Sequence, residues 1–273
     1  RATAVVASGG IAGVSVSGSV VVLSNNTIAY LDGDVSKANA LTVMATSDYP
    51  QILAITGAGA GGVAAVNGFF AVVYNEGKLE SRIAGNAAIS GVKSIAVKTD
   101  ANTEVTAASV AVSGGVAAVN AGVAAAVNRM EVNTYVAKGV SIDSTLTSLN
   151  VNGISHTQAD AWLMSVAGGV AGVGVAGAVT VVMPQVYTYI GVAPDSDEAG
   201  SQTGNIDAEN AVINVKNDVS SHSAPLILSA NGGIAGVGVN ALLSFNYTEA
   251  VAGIIRKNIV ASAINVDANM NAE

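Results

Sequence analysis

Cysteine is absent, which removes disulfides, thiolate metal sites and cysteine nucleophiles at once. Aromatic residues make up only 4% of the 273 residues, although 51% are apolar. The apolar content is therefore Ala, Val, Ile and Leu beside 31 Gly, and each of these buries little area. At about 25 cal/mol per Å², such a chain gains stability by stacking many similar layers closely rather than by one bulky core. Charge is also sparse, with 11 Lys and Arg against 19 Asp and Glu. A net charge of −8 provides no basic patch for phosphates, which excludes nucleic acid, and argues against anionic lipid surfaces. No initiating Met or signal peptide is present and Arg1 falls mid-pattern, as expected of a processed or excised segment.

What the chain does contain is repetition. A Gly pair followed by an apolar residue and Ala occurs five times, as Gly9-Gly10-Ile11-Ala12, Gly61-Gly62-Val63-Ala64, Gly114-Gly115-Val116-Ala117, Gly168-Gly169-Val170-Ala171 and Gly232-Gly233-Ile234-Ala235. The second glycines of the first four copies recur at a period of about 53 residues. The last interval, from Gly169 to Gly233, is longer, and the polar, turn-rich segment 194–204 supplies the excess. A second register consists of alternating strands that begin at Leu41, Ile95, Leu149, Ile213 and Ile264. The first four lie about 20 residues before a Gly pair. A third register falls about 20 residues after the second Gly, at Tyr30, Arg82, Tyr135 and Tyr189, with Gly253 in the fifth copy.

The uncharged window 161–193 has the length of a membrane helix. However, Val at 14, 16, 20 and 22 and at 173, 175, 179 and 181 keeps a period of two, and paired Gly is poor in helix interiors. Flanking basic clusters and interfacial aromatics are missing, and so are the aromatic girdles of an outer-membrane barrel; no membrane insertion is expected. The pattern predicts an all-β fold, a parallel β-helix (β-solenoid) of five tandem repeats of about 53 residues, in which like positions stack in ladders. The repeats run approximately 1–46, 47–99, 100–153, 154–217 (with the insertion 194–204) and 218–273, as one continuous segment. Each is either one large coil or two unequal ones of about 21 and 32 residues.

The pattern Ser113-Gly114-Gly115-Val116-Ala117-Ala118-Val119-Asn120, with Ala124 to Asn128 and Thr134-Tyr135-Val136, resembles the repeats of very large secreted bacterial adhesins. It resembles in particular those of the fusobacterial leukotoxin and filamentous-haemagglutinin-like group. The stretch Ser165 to Val175, with Tyr189-Ile190-Gly191, resembles them equally. The resemblance implies a right-handed parallel β-helix, export through an outer-membrane partner, an extracellular or bacterial cell-surface location, and an adhesive or structural role.

Residues that could carry chemistry are few. His156 and His222 lie near Asp160 and Asp218 in the stretch before a Gly pair and read as solvated loop residues. The acidic run Asp195-Ser196-Asp197-Glu198, with Asp207 and Glu209, lacks the order of known calcium loops and reads as a surface excursion. The Gly pairs lack the Lys-Ser/Thr of a phosphate loop, and their recurrence points to packing. Arg82 in the Tyr register places that column on the outside. No catalytic, cofactor-binding or metal residue is assigned, and no enzyme activity or cofactor is expected.

The leading expectation is a structural shaft of a secreted or surface fibre. The alternatives are an adhesive module that uses the Tyr-bearing face on a glycan or host protein, and a β-helix polysaccharide-acting enzyme. Joining Glu273 to Arg1 would place Gly10 at nearly the internal spacing from Ile264, within about one residue. The expected partner is accordingly another copy stacked head to tail into a filament, or further repeats of a longer protein.

Overall fold

A computed structural model describes residues 1–143, 145–194, 204–256 and 258–273. None of the described residues is helical. Among the described residues eleven strands run β1 (Ala2–Ser8), β2 (Ala12–Leu31), β3 (Val35–Gly61), β4 (Ala64–Ile83), β5 (Ala88–Ala137), β6 (Ser141–Ile142), β7 (Ser148–Gly191), β8 (Ile206–Gly232), β9 (Ala235–Asn246), β10 (Glu249–Ile255) and β11 (Ile259–Ala272). All pairings are parallel, as expected of a chain that returns to the same place once per repeat.

The register shows the size of that return. Ala12 pairs with Ala64, Ala64 with Ala117, Ala117 with Ala171, and Ala171 with Ala235. The alternating strands follow suit, Leu41 with Ile95, Ile95 with Leu149, Leu149 with Ile213, and Ile213 with Ile264. Paired residues are thus counterparts one whole repeat apart, and each repeat forms one layer; among the described residues no pairing runs at the spacing of about 21 or 32 that two unequal coils would give. The extra residues of the fourth repeat leave the register intact, since pairing continues on both sides of them, Ile142 with Ile206 and Gly191 with Ile255. The 195–203 part of that insertion lies outside the described residues. Register slips occur at Tyr49/Ile52, beside Pro50, which has no N–H to give to the ladder, and at Ala261/Ala263.

Within a layer the chain runs out along one wall, turns, and comes back along a second. Cross-wall hydrogen bonds fix the facing positions. Ser19 Oγ lies 2.8 Å from Thr56 Oγ1, Ser81 Oγ donates to Lys98 O at 2.6 Å, and Thr99 and Thr134 hydroxyls meet. The interior differs from end to end. Far from the Gly pairs it holds columns of large side chains, such as Leu31, Ile83, Val136, Ile190 and Ile254, facing Leu41, Ile95, Leu149 and Ile213. Toward the Gly pairs it narrows to Ala54, Ala107 and Ala161 facing Ala71, Ala124 and Ala178. The interior is thus filled by Ile, Leu and Val at one edge, the thick edge, and mostly by Ala, with Phe69 and Leu163, toward the edge that carries the glycines, the thin edge.

The buried Asn amides inside the thin half are partnered through their Nδ2 groups, whereas the buried hydroxyls of Ser17, Ser113 and Ser165 have no partner. Asn67 Nδ2 donates to Asn120 Oδ1 of the next repeat at 3.0 Å and to Val112 O of the facing wall at 2.9 Å. Asn75 Nδ2 donates to Asn128 Oδ1 at 2.8 Å, and Asn128 Nδ2 donates to Thr103 O and Gln158 O at 2.9 Å. These amides join layers along the stack and walls across it, which offsets the penalty of burying them.

The second glycine takes a positive φ in four of the five pairs, at Gly10, Gly62, Gly169 and Gly233. At Gly62 φ is +144°, and a Cβ there would lie 2.1 Å from Gly10 O of the preceding layer. The first glycine of the pair is different, because a Cβ on Gly61 meets nothing within 4 Å.

Candidate functional site

The most organised polar constellation is the Tyr register. Tyr30 pairs with Arg82, Arg82 with Tyr135, Tyr135 with Tyr189, and Tyr189 with Gly253. Parallel strands hold equivalent residues about 4.8 Å apart, which is ring-stacking distance. Tyr135 and Tyr189 stack with centroids 4.8 Å apart and planes 4° apart. The Arg82 guanidinium lies over the Tyr30 ring at 5.4 Å. Glu80, two residues before Arg82 on the same face, binds the Arg82 guanidinium and accepts a hydrogen bond from Tyr135 Oη at 2.9 Å.

This arrangement makes the column less open than Arg82 implied. Glu80 is buried, Arg82 and Tyr135 are half-buried, and Tyr189 is only 8% exposed. The hydrogen bond with Glu80, working against desolvation, raises the Arg82 pKa further. Burial, then Glu80, raises Tyr135, and burial, then the neighbouring Tyr135, pushes Tyr189 far above the usual phenol range. All three groups stay in their ordinary protonation states at neutral pH. The Glu80 carboxylate is engaged by Arg82, and the stacked ring faces cover one another. The ladder therefore ties layers together, and Tyr30, at its first-layer end, remains 62% exposed. Glu80 was not singled out from the sequence, although its place two residues before Arg82 put both on one strand face.

The two histidines are strand residues rather than loop residues, because the alternation of Ile154-Ser155-His156-Thr157 carries straight through them. The stacking brings them into one shallow polar groove with Asn102, Glu104, Gln158 and Ser220. His156 Nδ1 lies 2.6 Å from Ser220 Oγ, and His222 Nδ1 lies 3.8 Å from a Glu273 carboxylate oxygen. Asp160 is buried and accepts from Gln158 Nε2 at 2.8 Å, while Asp218 is exposed. No three His, Asp or Glu side chains among the described residues are grouped to hold a metal ion. Asp207 and Glu209 are exposed on β8, and Asp195 to Glu198 lie outside the described residues.

Other charges also pair from layer to layer. Lys78 Nζ lies 2.9 Å from Glu131, and Arg129 lies 3.5 Å from Glu76. Desolvation raises the Glu131 pKa, but hydrogen bonds from Lys78 and Asn133 and the charges of Lys78 and Arg129 outweigh it and hold the carboxyl below its usual range. At the corner that carries the insertion, Arg256 of the fifth repeat donates to Ala137 O at 3.3 Å and to Val140 O, both in the third. Burial lowers its pKa.

No helix among the described residues is long and apolar enough to cross a membrane. Comparison with known proteins finds no family model, no curated protein and no solved structure that matches this chain.

Proposed function

We propose that the layers form a parallel β-helix, a β-solenoid with one wide coil per repeat, and that it serves as a shaft segment of a secreted or cell-surface bacterial fibre like those of the large filamentous adhesins. The observation that carries this reading is the parallel register, which links all five repeats position by position. The side-chain ladders support it, because charge pairs, stacked tyrosines and Asn amides all join one layer to the next.

The dimensions refine the shape. Five layers at about 4.8 Å span roughly 24 Å along the stack. The 27 residues of β3, at about 3.3 Å each, reach up to about 90 Å across it. One such chain is a thin blade, wider than it is tall. A fibre arises from it by further stacking, either of more repeats or of another copy head to tail. The alternative of a glycan-binding Tyr face is left with Tyr30 as the exposed ring of the column, since the Tyr135 and Tyr189 ring faces cover each other.

The test is to image cells that produce the protein with gold-labelled antibody raised against this chain. Label spaced along surface filaments, whose diffraction places the spacing of about 4.8 Å parallel to the filament axis, is the expected result. Label confined to the cell interior, or strands running parallel to the filament axis, would overturn the reading.

A further inference from the structure

The thin edge of the blade is apolar on every outward surface. At its rim stand the residues that follow each Gly pair: Ile11, Val63, Val116, Val170 and Ile234, which are 49 to 90% exposed. They point out because the glycine turn reverses the chain there. They form a ridge of β-branched side chains, one per layer. The two walls continue the same character. One carries Val14, Val16, Val66, Phe70, Val123 and Val175 outward, and the other carries Val110, Val112, Trp162, Met164, Leu226 and Leu228. Their neighbours on the opposite side of the strands, Ser15, Ser17, Ser19, Asn67 and Asn120, are buried. In this half of the molecule the interior mixes small polar residues with Ala, Phe69 and Leu163, while the larger valines face outward. Contiguous apolar patches on soluble monomers seldom exceed a few hundred Å², and this surface runs over five layers and two faces.

Charge obeys the same division. No Asp, Glu, Lys or Arg occurs in 2–31, 49–75, 105–128, 161–194 or 219–248, the stretches that include the Gly pairs. In the second repeat the first charges, Asp48 and Glu76, lie equally far from Gly62 along the two walls. The closest approaches to a turning glycine in any repeat are Arg1 to Gly10 and Asp160 to Gly169. Each is about nine residues, which at about 3.3 Å per residue gives an uncharged depth of about 30 Å. Tyr49 and Tyr74 stand close to Asp48 and Glu76 on opposite walls, where an amphipathic ring suits a water–lipid boundary.

We propose that this edge inserts into the hydrocarbon core of a zwitterionic lipid bilayer, whose thickness of about 30 Å matches the uncharged depth, while the charged, thick edge stays in water. A second copy packed face to face would cover one wall and leave the other wall and the ridge in water; a lipid phase covers all three, while the head-to-tail stacking proposed above pairs the strand edges of the first and last layers, which hydrocarbon cannot satisfy. The ridge is apolar at its extremity, so the edge ends within the hydrocarbon and does not emerge on the far side. The acidic net charge points to neutral headgroups rather than anionic ones. This differs from the helical and barrel spans weighed from the sequence, neither of which applies to an edge.

The single tryptophan, Trp162, lies on the apolar wall at 55% exposure and is a built-in reporter. The purified chain is mixed with phosphatidylcholine vesicles and floated on a density gradient, while Trp162 emission is recorded with and without brominated lipid. Flotation, a blue shift and bromine quenching are expected, with little change between low and high salt. The triple variant Val63→Lys, Val116→Lys, Val170→Lys alters three exposed positions and should keep its β-type circular dichroism. It should lose partitioning by at least about tenfold, since one Lys in hydrocarbon is worth that much. Three results would overturn the proposal. The chain could stay at the bottom of the gradient, or the folded triple variant could float like the parent. The Trp162 shift could also appear without lipid and grow with protein concentration, which would assign the edge to a second copy.

Discussion

Replacing Gly62 with Ala, beside Gly61 with Ala as its neighbour control, tests how the layers are spaced. The Gly62 Cβ would sit 2.1 Å from Gly10 O, a backbone atom held by the ladder below, so no side chain can swing away to make room. Its φ of +144° adds a second penalty, because residues with a Cβ rarely adopt it. Backbone strain of this kind costs about 1–3 kcal/mol. Overpacking a close contact costs about 1–3 kcal/mol more. Together they make about 2–6 kcal/mol, a large part of a typical stability of about 5–15 kcal/mol. Melting followed by circular dichroism should therefore fall by about 5–20 °C for Gly62→Ala, at roughly 2–4 °C per kcal/mol. Gly61→Ala meets open space and restricts the unfolded chain, so its stability should be unchanged or higher by up to about 1 kcal/mol. Amide exchange should quicken around 10–12 and 62–64 in the first variant only. Equal melting of the two variants would refute the reasoning, and so would a loss confined to Gly61→Ala.

With no native cysteine to interfere, Lys98→Cys combined with Asn152→Cys should form a disulfide under mild oxidation, because the two pair directly across layers; Lys98→Cys with Val119→Cys, at the spacing of a smaller coil, should not. Asn128→Asp should destabilise by more than about 3 kcal/mol at neutral pH, since a carboxylate would face the carbonyls of Thr103 and Gln158 with no proton to donate, and lowering the pH should recover part of the loss in chemical denaturation. Alkaline titration followed by phenolate absorbance should show Tyr135 and Tyr189 ionising late. Their folded pKa values are raised, so the stability they contribute is complete below the unfolded value of about 10 and is lost as pH rises beyond it. Ionisation of all tyrosines together near pH 10 with the fold intact would contradict this.

Repetition made much of the fold legible. The Gly pairs, the strands beginning at Leu41, Ile95, Leu149, Ile213 and Ile264, and the Tyr register all stack as ladders. The number of coils per repeat was not legible, because it depends on pairing between residues a whole repeat apart, which local periodicity does not record. Nor was the direction in which each strand face points. Alternation in Val14-Ser15-Val16-Ser17 says that the valines share one side, and the natural assumption turns them inward; the structure buries the serines. Ser19 and Thr56 meet across the walls, and that partnership is invisible from either strand alone. Glu80 escaped notice for a similar reason. Its partner Tyr135 is 55 residues away, and only the stacking brings them together.

The direction of the ladder bonds has a mechanical consequence. Between the third and fourth repeats, residues 94–137 face 148–191 in an almost unbroken register. A pull applied evenly along the stack loads all of those bonds in parallel, and they must fail together. A pull that enters through one free strand concentrates on a single bond at a time and opens the layer like a peeled strip. Such an assembly is stiff and strong as a strut or tether when its whole face shares the load. It is vulnerable wherever force reaches it through one end of the chain, so attached domains would hold best when anchored across several layers.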